Sequence, residues 1–195
     1  ALGSSYFGRH VGTFGKCGIL SFNGNKIITT GGGGAIITND DSFADHVKHI
    51  STTAKIPHKW EFNHDDIGFN YRMPNLNAAL GCAQLEKIDE FLASKRKLFQ
   101  LYRDALEGVQ NIKIFQEPVN CKSNYWLQSL ILDNNVAEIR NQFLETTNNN
   151  NLMTRPAWAL IHSQQPYLNS PKATLEVSEN LASRLINIPS SADLA

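Results

Sequence analysis

Apolar positions along the chain recur at two periods. Residues 17–22 (Cys-Gly-Ile-Leu-Ser-Phe) and 34–38 (Gly-Ala-Ile-Ile-Thr) are short, partly β-branched runs that predict strands. Lys26-Ile27-Ile28-Thr29-Thr30 lies between them and reads as a further strand-like piece. The glycines Gly31 to Gly34 then supply a turn with free access to positive φ. Asp40 or Asp41 can cap a helix over roughly 42–53, with Phe43, Val47 and Ile50 on one face. From Asn75 to Leu106 one helical pattern runs through Leu76, Leu80, Ala83, Ile88, Leu92, Leu98, Tyr102 and Ala105, with Asn75 as N-cap and Gly108 closing the far end. A helix of about thirty residues exceeds ordinary globular lengths, which predicts a kink or break within it.

The last third alternates. Strands are predicted over 112–115, 125–132 and 152–155, and helices over 135–147 and 174–184. Asn148 to Asn151 reads as a turn or flexible connection. This order predicts an α/β fold with a seam near Gly108, hence a first domain over 1–107 and a smaller α/β domain over 108–195. Residues 54–70 form a long polar stretch holding His58, Trp60, Phe62, His64, Asp65 and Asp66, and a loop of that length is more often functional than not.

Composition narrows the function classes. With 195 residues, 42% hydrophobic and 18% charged, the chain can bury a real core. A formal net charge of zero gives no electrostatic reason to expect nucleic acid or an anionic membrane as partner. No apolar run approaches the roughly 20 residues a spanning helix needs, and the first residues lack a signal peptide's features. Cys17, Cys82 and Cys121 are an odd count without C-x-x-C spacing, so neither a disulfide framework nor a zinc site is expected. Reduced, mostly buried thiols in a cytoplasmic protein are the reading that follows.

Lys26 is the first chemical candidate. A lysine amine acts as nucleophile or base where its charged form is disfavoured, yet an exposed lysine on a strand would show the same local sequence. The glycine run is not followed by Lys-Ser/Thr and opens no G-x-G-x-x-G helix, so it reads as a hairpin turn and not as a phosphate cradle.

The combination of segments says more. Gly12-Thr13-Phe14-Gly15, then Ser21-Phe22-Asn23-Gly24-Asn25-Lys26, then Ile28-Thr29-Thr30 and the glycines resemble the DegT/DnrJ/EryC1/StrS group of vitamin B6-dependent sugar aminotransferases. Gly68-Phe69-Asn70-Tyr71-Arg72-Met73-Pro74-Asn75, continued by Asn77-Ala78-Ala79-Leu80-Gly81 and Gln84-Leu85, is similar to a second signature of that group. Met153-Thr154-Arg155-Pro156, Trp158 and Ile188-Pro189-Ser190-Ser191 look most like the branch acting on UDP-linked amino-sugar precursors of legionaminic or bacillosamine type.

The resemblance implies the C-terminal part of an aspartate aminotransferase-like, type I fold: the remainder of the large cofactor domain with its long helix, and a small C-terminal domain. It implies pyridoxal 5′-phosphate as cofactor, Lys26 as its anchor and catalytic base, Ser21 as a phosphate ligand, and Asn70 as a contact to the phosphate in a neighbouring subunit. A homodimer with shared active sites follows, using glutamate and a nucleotide-linked keto-sugar. Arg155 is expected to meet a substrate carboxylate or phosphate, with His58 and Tyr71 lining the substrate end. The Ala1-Leu2-Gly3 start resembles the end of the segment carrying the carboxylate that pairs with the pyridine nitrogen. That carboxylate is therefore expected upstream of residue 1, and the 195-residue piece alone is expected to turn over little or nothing. Two other readings belong here: a sugar dehydratase of the same fold, disfavoured because its anchoring position holds histidine, and a non-catalytic dimerising fragment.

Overall fold

The computed structural model describes residues 1–195. They form two compact units, Ala1–Leu92 with Pro118–Asn124, and Ala93–Glu117 with Tyr125–Ala195. No helix is long and apolar enough to cross a membrane.

In the first unit, β1 (Ser5–Tyr6) and β2 (Arg9–His10) pair antiparallel, and β6 (Cys121–Lys122) adds to the free edge of β1. Next come β3 (Gly18–Ser21) and β4 (Gly34–Ile37), an antiparallel pair running from Gly18↔Ile37 to Ser21↔Gly34. These two strands lie where the β-branched runs predict them. Gly18 is obligatory, since a Cβ there would sit 2.1 Å from the Gly12 carbonyl oxygen. The expected strand over residues 26–30 is absent. Ile27 and Ile28 are buried, but they bury by folding inward within a closed loop, and their backbone pairs with no strand.

Helix α1 (Asp41–Ser51) begins where Asp40 accepts the Phe43 N–H at 2.9 Å, and Phe43, Val47 and Ile50 form its half-buried face as expected. The long helical pattern breaks into α2 (Asn75–Leu85) and α3 (Ile88–Ala105). Pro74, not Asn75, is the N-cap of α2: its carbonyl already accepts from the Ala78 N–H at 3.0 Å, which makes Asn75 the first helical residue. Gly108, at φ 81°, closes the turn after α3. The two units divide within α3 and not at Gly108. Leu92 packs against Gly3 in the first unit, while Tyr102 and Leu106 belong to the second unit's core.

The second unit is a four-stranded antiparallel sheet in the order β5 (Ile112–Ile114), β7 (Gln128–Leu132), β9 (Leu185–Ile188), β8 (Arg155–Pro156). Leu130, Leu132, Ile186 and Ile188 point to one face, as period-two alternation requires, and are covered by Tyr102, Leu106, Phe143 and Leu144. A 3-10 turn, Asn134–Ile139, leads into α4 (Arg140–Asn149), and α5 (Glu176–Arg184) precedes β9.

Three expectations change here. Strand β7 starts at Gln128 instead of 125, since Tyr125 takes φ 44°. Residues 152–154 are not strand because they close α4: the Leu152 N–H donates to Thr147 at 2.9 Å, and the Asn148 amide donates to the Thr154 carbonyl at 3.0 Å. Within the asparagine run, Asn148 and Asn149 end α4, and Asn150 and Asn151 form the expected turn, with Asn151 at φ 61°. Finally, the three cysteines are free thiols but none is buried as expected: Cys17 and Cys121 are half-buried, and Cys82 is exposed because α2 turns its neighbour Gly81 inward.

Candidate functional site

Ser21, the last residue of β3, opens the connection over residues 22–33, Lys26 lies near its middle, and the Ser21↔Gly34 pair is its neck. A Cβ on Gly34 would sit 2.4 Å from the Leu20 carbonyl oxygen, so only glycine closes the neck. Inside the loop the Lys26 N–H donates to Asn23 at 3.0 Å, making a tight turn beneath the lysine. The Phe22 carbonyl accepts both the Thr30 N–H at 3.0 Å and the Thr29 hydroxyl at 3.1 Å. Gly31 and Gly33 take φ of 78° and 107°, the left-handed region the glycine run was expected to use. Ser21 is exposed and Lys26 half-buried.

One face of α2 lies against this loop. The Asn77 amide donates to the Thr30 carbonyl, and the Gln84 Oε1 accepts the Thr29 N–H at 3.3 Å. Between them Gly81 leaves room for Thr30, whose Cγ2 would be 2.9 Å from a Cβ at that position. The Met73 methyl group sits 3.1 Å from where a Cβ on Gly33 would be. The two signature segments therefore meet in space. Sequence reasoning gave Met73, Asn77, Gly81 and Gln84 no role, although the i, i+4, i+7 spacing of the last three marks one helix face.

Asn70 sits at the end of a pinned excursion and not of a free loop. It pairs with Thr52, while the Thr53 N–H donates to Phe69 and the Tyr71 N–H to Ser51, at 3.0 and 2.9 Å. Gly68 is forced, because a Cβ there would lie 2.2 Å from the Thr53 carbonyl carbon. Tyr71 is exposed and stacks on Phe69, with ring centroids 5.2 Å apart. The His58 Nδ1 accepts the Glu61 N–H at 3.0 Å and its ring meets Trp60 edge-on, so only Nε2 remains for other partners. Arg155 belongs to the other unit, exposed on β8 with a guanidinium nitrogen 3.5 Å from the Met153 sulfur. Nearby in sequence, Trp158 stacks on Trp126 at 5.8 Å.

A hydrogen bond fastens the 53–69 excursion to α1: the His49 Nε2 lies 2.5 Å from the Asp65 Oδ1. The hydrogen bond from His49, then its charge, hold the Asp65 carboxyl below the usual carboxylate range. A depressed folded-state value means the contact stabilises above the unfolded aspartate value, about 3.9, and is lost as pH falls through the depressed one. The protection of amides 53–69, measured against their intrinsic exchange rates at each pH, is therefore expected to fall as pH drops below about 4. Asp65→Ala should show fast exchange at neutral pH and no such acid step; an unchanged acid step in that variant would assign the response to other groups.

The sequence profile of the DegT/DnrJ/EryC1/StrS aminotransferase family matches residues 1–195. The chain is 35% identical over 195 residues to the GDP-perosamine synthase of Escherichia coli O157:H7, an alignment covering 100% of this chain and 52% of that protein. Its fold is similar to that of Helicobacter pylori PseC, an aminotransferase involved in the biosynthesis of pseudoaminic acid, with a TM-score of 0.94 at 24% identity over 100% of this chain and 53% of that one. Spr1654 from Streptococcus pneumoniae, solved in a PLP form, gives a TM-score of 0.88 at 19% identity over 100% and 52% of the two chains. The chain spans about half the length of the curated relatives it matches.

Proposed function

Since the chain belongs to the DegT/DnrJ/EryC1/StrS aminotransferase family, we propose that it carries the cofactor anchor of a pyridoxal 5′-phosphate enzyme that moves an amino group from glutamate onto a nucleotide-linked keto-sugar. The observation that carries this reading is the single loop holding Ser21 and Lys26, closed at its neck by Ser21↔Gly34 and floored by the Asn77 and Gln84 amides.

The residues present fit the cofactor. An exposed hydroxyl at Ser21 and an exposed amide at Asn70 suit a phosphate, and an amine at Lys26 suits an aldehyde. Bound there, pyridoxal phosphate supplies the aldehyde carbon that takes up the amino group and the electron sink for the adjacent carbanion. This chain's residues supply placement and proton transfer. Ser21 donates to a phosphate oxygen. Asn70 reaches the phosphate held by a second copy, so the working form is a homodimer with shared sites. The Lys26 amine takes the proton from the donor's α-carbon and returns one to the sugar carbon in the second half of the cycle. Arg155 offers a planar cation to a carboxylate or phosphate, and Tyr71 and the His58 Nε2 line the sugar end.

The test uses the full-length protein with cofactor and glutamate but no sugar. One 2-oxoglutarate is expected per site, with turnover resuming only when a nucleotide-linked 4-keto-sugar is added, as two-step transfer requires. Release of the corresponding 2-oxo acid from a different amino donor alone would correct the donor; release from none would overturn the reading.

A further inference from the structure

Lys26 gains its position from a loop that has no strand partner of its own between Phe22 and Gly33. Two backbone groups of that loop are bonded by side chains of α2: the Thr29 N–H, to the Gln84 Oε1, and the Thr30 carbonyl, from the Asn77 amide. They belong to consecutive residues, three and four positions beyond Lys26, and their partners project from one α2 face across 55 and 47 residues of sequence. Thr30 is 1% exposed, and the Ile27-Ile28 pair linking it to Lys26 is buried as well. A buried backbone group left without a partner is costly, so each amide fixes its loop atom by the direction of its bond as well as by packing.

We propose that Asn77 and Gln84 are positioning residues for Lys26, with one donor and one acceptor aimed at adjacent backbone groups holding the loop in the conformation that presents the amine. This rests on the assignment of Lys26 as the cofactor anchor. The two chemistries are not interchangeable. Position 77 must donate, because it faces a carbonyl; position 84 must accept, because it faces an N–H. Substitutions that conserve shape therefore separate directed bonding from mere filling of space. Gln84→Glu keeps an oxygen for the Thr29 N–H. Gln84→Met removes it at similar length. Asn77→Asp keeps the shape but turns an oxygen toward the Thr30 carbonyl.

The experiment is amide exchange over residues 27–31 in the cofactor-free full-length protein, with the uptake of added pyridoxal phosphate followed by absorbance. Gln84→Met and Asn77→Asp are expected to speed exchange there by between about threefold and tenfold, the size of one lost hydrogen bond, and to slow uptake. Gln84→Glu should stay within about twofold of the parent on both measures. Equal behaviour of Gln84→Glu and Gln84→Met, or parent-like exchange in Asn77→Asp, would overturn the proposal. Exchange over β7 and β9 serves as the folding control, and a variant that loses protection everywhere is replaced by Asn77→Leu, which lacks the donor without adding charge. If the parent itself takes up no cofactor, the anchor assignment fails while the exchange comparison still decides how the loop is held.

Discussion

Replacing Lys26 by alanine in the full-length protein is expected to lower kcat by about three orders of magnitude or more, the upper range for loss of a positioned acid–base group. The same group is assigned two duties, attachment of the cofactor and proton transfer at the donor's α-carbon, so its removal should not be compensated from elsewhere in the loop. Folding should be little affected. The loop's shape comes from Phe22, Thr29 and Thr30 through their backbone and hydroxyl groups, and from Ile27 and Ile28 through burial. Lys26→Arg separates charge from chemistry: the guanidinium keeps the positive charge but does not give up its proton, so it should be as inactive as alanine. The check is kcat together with the thermal midpoint. An inactive variant with an unchanged midpoint is the expected pair, and an arginine variant with near-parent turnover would remove Lys26 from the chemistry.

The largest stability effect is expected at Ile186. Its side chain is 0% exposed, it pairs with Leu130 across β7 and β9, and it packs with Leu132 and Ile188. Ile186→Ala deletes several buried carbons from a central strand that neighbours hold on both sides, so the cavity cannot collapse fully. A loss of about 2–5 kcal/mol follows from the range for such truncations. Denaturant unfolding followed in the second unit measures it. The exposed Val177 on α5 is the control: Val177→Ala should shift the midpoint hardly at all.

The sequence made the hairpin strands, α1 with its Asp40 cap, and the break in the long helix legible, because each carries a local signal: β-branched alternation, a capping side chain, a length no ordinary helix sustains. Residues 26–30 misled for the same reason. Ile27, Ile28 and the two threonines have strand-like character, but their apolar side chains are buried by a loop whose backbone partners come partly from α2. Strand β9 carried no start signal, since α5 runs into it at Arg184-Leu185 without glycine or proline between. The two-residue strands β1, β2 and β6 are too short to have a period at all.

For the candidate site, Ser21 and Lys26 were visible as neighbours in sequence, and Asn70 as part of a second motif. The contact between those motifs was not visible, because hydrogen bonds spanning 47 and 55 residues leave no local trace. The structure gives the second motif a reason to accompany the first: its helix face is the floor of the lysine loop.

The claim that Lys26 anchors the cofactor is tested most directly by borohydride reduction of the full-length protein incubated with pyridoxal phosphate, followed by peptide mass analysis. The reduced cofactor is expected on one lysine, Lys26, at close to one per chain, with Lys16 and Lys55 unlabelled. Label on another lysine, or none on a protein whose amide exchange shows it to be folded, would contradict the account.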